Sequence, residues 1–372
     1  MPKKRINKQT LIDLMSGPML LHFTLPFVMI YLCAGTVAQK YIGLYEATRI
    51  FFSAPIIWLG FLPLPGFPIV LAVMFVNLTC KLTFKSPWTL RNSGIIVTHI
   101  AVMLLLLGGL ITALFSREGF VDLMQGDNKA YVTDYHAREF IIRDEGGQEL
   151  AHYNPNSLKA GKTLDQSDLP FIVKVKEACR HCTIEKRTIA QDDSSTYNGM
   201  AQFMRLTPAP PQRDNESNMG GIIFALYDRQ GHEQGIYASL EDVPNWPQVD
   251  IGQRAYRFIY QKQKRALPFE IELLEFTRTT HPGTQLAKSY QSKVRIRDEN
   301  GAWESLIKMN EPLRYKGYTL FQSSFMKTET GDVSVLAVVW NAGRAFPYIA
   351  GFVLSLGLIL HLLIRKRPAG RR

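Results

Sequence analysis

Three histidines lie inside long apolar segments. His99 follows Gly94 in a run that reaches Ser116 without one Asp, Glu, Lys or Arg, and His22 and His361 lie in the uncharged runs 17–39 and 345–364. An ionisable side chain in hydrocarbon has no water to bond, so such a position suggests a function. Imidazole there can bond a neighbouring helix, relay a proton or ligate a metal such as haem iron.

A second candidate is the C-x-x-C motif formed by Cys179 and Cys182. Such a pair can run thiol–disulfide exchange, supply half of a metal site or form a small structural disulfide. Thr183 follows the second cysteine, whereas covalent haem attachment needs a histidine there. The sequence contains no phosphate-binding glycine loop, nucleophile elbow or H-E-x-x-H motif, so we expect no catalytic residue in this chain.

Apolar runs of about 20 residues predict helices that cross a bilayer, because each residue adds roughly 1.5 Å and the hydrocarbon core is about 30 Å thick. The first run shows no convincing cleavage site, so we expect a retained span. Residues 50–80 are uncharged but interrupted by Phe61–Pro68 (FLPLPGFP). We predict a helix at about 44–61 lying at the outer interface, with Trp58 at the headgroup level. The predicted spans are 18–37, 64–81, 94–116 and 345–364.

The net charge of +11 is confined to three short segments beside apolar runs, at residues 1–16, 81–93 and 365–372. Basic loops remain in the cytoplasm, so we expect both termini to be cytoplasmic tails (1–16 and 365–372) of a multi-pass protein in the bacterial inner membrane. A nucleic-acid partner is not expected, because the charge is not spread over one surface.

Residues 117–344 alternate apolar and polar positions in short runs separated by turn-rich gaps, which is typical of antiparallel strands. The predicted fold class is therefore a membrane protein with four transmembrane helices and one large extracytoplasmic, mainly-β, sandwich-like domain. This topology places His22, His99 and His361 within about 5–8 Å of one another in depth, near the cytoplasmic side.

Several phrases of the sequence, in order, resemble one family. They are Ala34–Gln39, NLTCKLTF, Gly94–Ile111, Gly119–Asp127, Met309–Phe325 (MNEPLRYKGYTLFQSSF) and the start of the last apolar run. Together with the four-span layout they resemble the ResB, or CcsB-like, family of system II cytochrome c biogenesis.

The resemblance implies a subunit of a cytochrome c haem lyase complex that is non-catalytic alone. Such a subunit would work with a CcsA/ResC-type partner in moving haem b across the membrane and joining it to apocytochrome c. This sequence has no tryptophan-rich haem motif, so we expect the partner to be a separate polypeptide. The family's third-span haem ligand corresponds to His99. His22 and His361 remain candidates by position alone.

Two alternatives stay open at this point. One is a membrane-anchored thiol–disulfide oxidoreductase that uses Cys179 and Cys182. The other is a structural scaffold for the partner, in which neither the histidines nor the cysteines act.

Overall fold

The computed structural model describes residues 8–154, 157–187, 196–211, 218–243, 246–284, 286–329 and 331–365. The chain forms two compact units, a helical unit (1–117 and 340–372) and a β unit (118–339). Most of the two predicted basic tails lies outside the described residues. The five helices of the described chain are α1 (Lys8–Ser16), α2 (Pro18–Ala47), α3 (Phe67–Cys80), α4 (Ser93–Phe115) and α5 (Phe346–Arg365).

Four helical segments are long and apolar enough to cross a bilayer. They are Gln9–Ser53, Phe67–Lys85, Leu90–Phe115 and Phe346–Arg365. In the segment Gln9–Ser53, α2 continues into a π-helical turn (Thr48–Ser53). In the segment Phe67–Lys85, α3 continues into another (Lys81–Lys85). The predicted fold class, four apolar helices with a large mainly-β domain, is confirmed.

The predicted interfacial helix at 44–61 is wrong beyond Ser53. Residues Ile56–Leu59 (β1) and Leu62–Pro65 (β2) form an antiparallel hairpin in which Leu59 pairs with Leu62. Pro55, Pro63 and Pro65 remove the amide donors that a helix needs. Gly60 adopts a positive φ of 64° at the first position of the two-residue turn, a conformation that glycine accepts without strain.

Helices α4 and α5 pack antiparallel with their backbones in close contact. A side chain on Gly94 would overlap the backbone of His361, and one on Gly108 would overlap Phe346. A Cβ on Gly357 would lie 2.8 Å from Thr98. Small residues at a helix interface in a membrane permit this approach, and the van der Waals contact it creates holds the helices together.

Helix α3 is fixed to the break between α1 and α2 by a buried amide. Asn77 is 3% exposed and donates to the carbonyls of Met15 (2.6 Å) and Gly17 (2.9 Å). Lys85 also forms an ion pair with Asp13 at 2.5 Å. These contacts hold one end of α3 level with the start of α2, which we call the near end of the helical unit.

The β unit is built from long antiparallel strands. In chain order they are β3 (Arg117–Leu123), β4 (Asn128–Asp144), β5 (Glu149–Tyr153), β6 (Thr163–Leu164), β7 (Phe171–Cys179), β8 (Cys182–Lys186), β9 (Met204–Pro208), β10 (Gly221–Asp228), β11 (Glu233–Leu240), β12 (Gln248–Ile251), β13 (Arg254–Thr280), β14 (Ala287–Asp298), β15 (Gly301–Lys308), β16 (Leu313–Tyr315), β17 (Tyr318–Thr328) and β18 (Gly331–Trp340).

In the described part of the chain these strands form three sheets. A ten-stranded sheet runs β15-β14-β13-β4-β3-β18-β17-β16, with β12 beside β13 and β5 beside β4. A four-stranded sheet runs β11-β10-β7-β6, and β8 pairs with β9. The 27-residue β13 is long enough to serve two cores, one on each side of its middle.

The first core lies between the four-stranded sheet and the first half of β13. It contains a cluster of buried rings from Phe140, Phe171, Phe224 and Phe258. The second core surrounds the second half of β13 and includes Ile271, Ile296 and Leu336, all fully buried. We call the boundary between them, where the β4–β13 register shifts near Lys262, the waist.

Adjacent glycines of α4 provide a test of the close helix contact. Gly108→Ala should destabilise the α4–α5 pair by about 1–3 kcal/mol, because the new methyl group meets the Cβ of Phe346. Gly109→Ala meets no atom within 4 Å and should be neutral or slightly stabilising. Thermal unfolding of the detergent-solubilised protein, followed by far-ultraviolet circular dichroism, measures both. Equal effects of the two substitutions would contradict the packing described here.

Candidate functional site

His99 lies about two turns into α4 and is half-buried. Its Nδ1 is 2.7 Å from the carbonyl oxygen of Ile95, one turn earlier. A carbonyl can only accept, so Nδ1 carries the proton in this bond, and in the neutral ring Nε2 keeps its lone pair. Histidines that ligate metals usually donate their other N–H to such a partner, which fixes the ring and makes it a better ligand.

His22 has the same local geometry near the start of α2. Its Nδ1 is 2.7 Å from the carbonyl oxygen of Pro18, and the residue is exposed. The same argument leaves Nε2 as the free lone pair. The two rings are therefore prepared alike, each by the carbonyl four residues before it.

His361 differs from the other two because its backbone lies against Gly94. His99 is five residues beyond Gly94, which is roughly 140° around α4 and about 7.5 Å along it. His361 and His99 thus lie within about 7.5 Å of one another along the axis of α4 but on different sides of that helix. Among the described residues, no group of three or more His, Cys, Asp and Glu side chains is placed to hold a metal.

Haem iron fits this arrangement because it can take an axial ligand from a single imidazole. His99 and His22 each present the required lone pair, whereas no hydrogen bond among the described residues selects a tautomer for His361. The structure does not bring the three candidate histidines together as one ligand set, and their role as ligands stays a prediction.

Cys179 and Cys182 form a disulfide at the corner where β7 ends and β8 begins. Both are half-buried and pack against the core between the four-stranded sheet and the β8–β9 pair. The Cys182 amide donates to the Met219 carbonyl at 2.8 Å. The two residues between them turn the chain from one sheet into the next, so the bond stabilises a corner of the fold.

In the part of the chain that the structure describes, β7 passes directly into β8 at this corner without a helix, whose N-terminus is one arrangement that lowers the pKa of reactive cysteines. The corner does position Arg180, whose Nη2 donates to the His136 carbonyl at 2.7 Å. A structural role is the alternative that this geometry favours. The pairing of the two sulfurs leaves no free thiol for a metal half-site.

Sequence reasoning missed a buried ion pair at the waist. Arg138 and Glu241 are 1% and 0% exposed and form a bidentate pair at 2.9 and 3.0 Å. The Gly220 amide and Lys262 also approach this carboxylate, at 3.2 and 3.4 Å. Burial, together with the Glu241 charge, raises the pKa of the neighbouring Tyr260 to about 12. The signal in the sequence was a charged pair, Arg138 and Glu139, directly before the apolar residues Phe140, Ile141 and Ile142.

The phrase MNEPLRYKGYTLFQSSF has a structural explanation. It forms the β16–β17 hairpin, whose turn places Lys316 (φ 45°) and Gly317 (φ 83°) in the left-handed region. Tyr315 and Lys316 both reach Asp298 at 2.6 Å. The carboxylate thereby joins the β14–β15 turn to the β16–β17 turn.

The same hairpin contributes to a buried polar triad in the second core. Gln322, from the hairpin, accepts from Ser292 at 2.6 Å and donates to Ser334 at 3.0 Å. The two serine hydroxyls are 2.7 Å apart. These contacts join β14 to β17 and β18, which are not adjacent to it in the sheet, and satisfy polar groups that would be costly to bury alone.

One similarity to known proteins covers the strands that surround the second core. Residues 249–348 match the model of the ResB-like family. The resemblance to the ResB family is confirmed in this region. The ResB-like region contains β13 to β18, Asp298 and the Ser292–Gln322–Ser334 triad. Its matched residues therefore include polar contacts that join the strands around the second core.

A longer similarity covers most of the chain. Protein NrfI of Wolinella succinogenes is 26% identical over 271 residues, which are 71% of this chain and 27% of that protein. The chain thus spans about a quarter of the length of the curated relative it matches.

The Asp298 contacts predict a dependence of stability on pH. The bonds from Lys316 and then Tyr315 hold the pKa of Asp298 well below its usual range. The folded-state pKa is depressed, so the contribution to stability is present above about pH 4, the unfolded pKa, and is lost as the pH falls below it. The free energy of unfolding of Asp298→Asn should therefore lie below that of the wild type at pH 7, with the difference shrinking as the pH falls below 4.

Denaturant unfolding in detergent, followed by tryptophan fluorescence, measures this difference. Asp332→Asn is a control, since no bond to that carboxylate is described in the structure. A difference that stays constant from pH 7 to pH 3 would contradict the role given to Asp298.

Removal of the disulfide should cost stability without removing activity. The double variant Cys179→Ser/Cys182→Ser should lose about 2 kcal/mol, the loop-closure value for so short a loop. Cytochrome c maturation in cells at moderate temperature should continue. Maturation abolished by either single substitution, with a mixed disulfide trapped by the remaining thiol, would instead favour the oxidoreductase.

Proposed function

We propose that this chain is a subunit of a system II cytochrome c synthase complex that takes part in delivering haem across the membrane. The observation that carries the proposal is His99, an imidazole in an uncharged helix of spanning length, held by Ile95 with Nε2 free to ligate iron. The ResB-like region and the similarity to NrfI support the same assignment.

In this proposal the near end of the helical unit faces the cytoplasm, where haem is made. The basic residues Lys81, Lys85 and Arg91 lie at this end and support that orientation. Haem is then the cargo, and the β unit lies on the extracytoplasmic side. There it contacts a CcsA/ResC-type partner or the apocytochrome.

The residues have distinct roles in this proposal. His99 supplies one axial nitrogen to the haem iron, and the bond to Ile95 keeps the ring in the tautomer and orientation that ligation needs. The apolar surface of α4 suits the porphyrin face. His22 is a second candidate ligand with the same preparation. The chain itself forms no bond to the vinyl groups, and the complex carries out the attachment to CxxCH thiols.

The test is the haem spectrum of the full chain purified together with its CcsA/ResC-type partner. His99→Gly should lower the Soret absorbance per complex by about tenfold or more, since even residues that only orient a metal ligand have effects of that size. Added imidazole should restore the band, because it can occupy the space left by the ring. His361→Ala is the matched control and should leave the band unchanged.

Two outcomes would overturn the proposed role of His99. One is an unchanged Soret band in His99→Gly. The other is a band lost equally in His99→Gly and His361→Ala without rescue by imidazole, which would indicate damage to helix packing. Normal maturation in both variants, with maturation lost on truncation of the β unit, would favour the scaffold.

A further inference from the structure

The β1–β2 hairpin presents apolar side chains to its surroundings without any charge. Phe61 is 93% exposed, Leu59 is 67% exposed and Trp58 is 66% exposed. Ile56 and Leu62 are also exposed, and residues 50–80 contain no Asp, Glu, Lys or Arg. A contiguous apolar surface of this kind marks a site of interaction.

The base of the hairpin is fixed at a definite height on α2. The Tyr31 hydroxyl donates to the Pro65 carbonyl at 2.6 Å, and the Gly66 amide donates to Pro55 at 2.7 Å. Tyr31 lies thirteen residues after Pro18, or about 20 Å along the helix. The base therefore lies about two thirds of the way across a core of roughly 30 Å.

The hairpin rises from this base toward the far end of the unit. After Gly43, where φ is 80°, the chain folds back along α2 until Phe52 meets Gly35. A cleft between this returning segment and β1 is lined by Arg49, Ile50, Ser53, Ala54, Ile56, Ile57 and Trp58. Trp58 thus lies beside Arg49, farther from the near end than Phe52.

These positions match the thickness of a membrane. Lys40, the first charged residue after the first span, is about 33 Å from Pro18 along α2. The tip at Gly60–Phe61 is five or six residues from Pro55, which adds about 17–20 Å at roughly 3.3 Å per residue. With Pro18 at the near edge of the hydrocarbon core, the far headgroup layer begins about 30 Å away and is roughly 5–8 Å thick, so the tip, about 37–40 Å from Pro18, lies at its outer edge.

We propose that the hairpin is an interfacial anchor seated among the lipids of the far leaflet, with Trp58 at the boundary between acyl chains and headgroups and with Leu59 and Phe61 in the headgroup layer. Both of its ends are attached to spanning segments, since α3 begins at Phe67 directly after β2 and Gly66. The hairpin is a two-stranded sheet, so each strand has an outer edge that needs hydrogen bonds. The hydrated interface supplies them, whereas the hydrocarbon interior does not.

Nitroxide accessibility tests this proposal. Phe61→Cys and Leu59→Cys are spin-labelled separately in the full chain, in a background with Cys33→Ser and Cys80→Ser that leaves the disulfide intact. The protein is reconstituted in bilayers of phosphatidylethanolamine and phosphatidylglycerol. The control is Phe203→Cys, an equally apolar position in the β unit that is 66% exposed.

For each label we compare the ratio of its collision rate with oxygen to its collision rate with the water-soluble nickel complex. This ratio should be about threefold or more higher for the labels at 59 and 61 than for the label at 203. Accessibility to nickel equal to that at 203 would place the hairpin in water and overturn the proposal. Low accessibility to both reagents would indicate cover by protein and would equally overturn it. Two labelled positions are used so that the result does not depend on a single substitution that disturbs the turn. The outcome of this experiment is independent of the haem proposal.

Discussion

Apolar side chains gain nothing by leaving lipid tails for a neighbouring helix, so close backbone contact must hold this helical unit together. Gly94, Gly108 and Gly357 allow α4 and α5 to approach until main chain meets main chain. This contact decides which sides of α4 are covered. One side faces α5, and His99 lies roughly 140° away from it around the helix.

The histidines show how a local bond can prepare a site before any ligand arrives. A carbonyl four residues earlier orients His99 and His22 and leaves Nε2 as the donor atom. The arrangement needs only an α-helix and a histidine, so it places few demands on the rest of the fold. Each such bond prepares one nitrogen donor only, so in the proposed function a second axial ligand would have to come from elsewhere.

The β unit depends on buried polar contacts where its strands change register or turn. Arg138 and Glu241 occupy the waist, and Asp298 joins two turns of the ResB-like region. Loss of one member of such a buried pair costs several kcal/mol, because the other charge is left without a partner. The disulfide belongs to the same group of constraints, since it holds the corner that directs Arg180 toward the waist.

The sequence by itself determined the four apolar spans, the β character of residues 117–344 and the position of His99 within one of those spans, because these follow from hydropathy and periodicity along the chain. It predicted a helix at residues 44–61, part of which forms a hairpin with Gly60 in its turn. The uncharged run suggested one continuous apolar element, although Gly60 and three prolines favour a turn there. Only the tertiary structure decided that Cys179 bonds Cys182, that Arg138 meets Glu241 across 103 residues and that His361 and His99 face different sides of α4. Those facts depend on strand register and on the rotation of one helix against another, which arise from contacts between residues far apart in the chain.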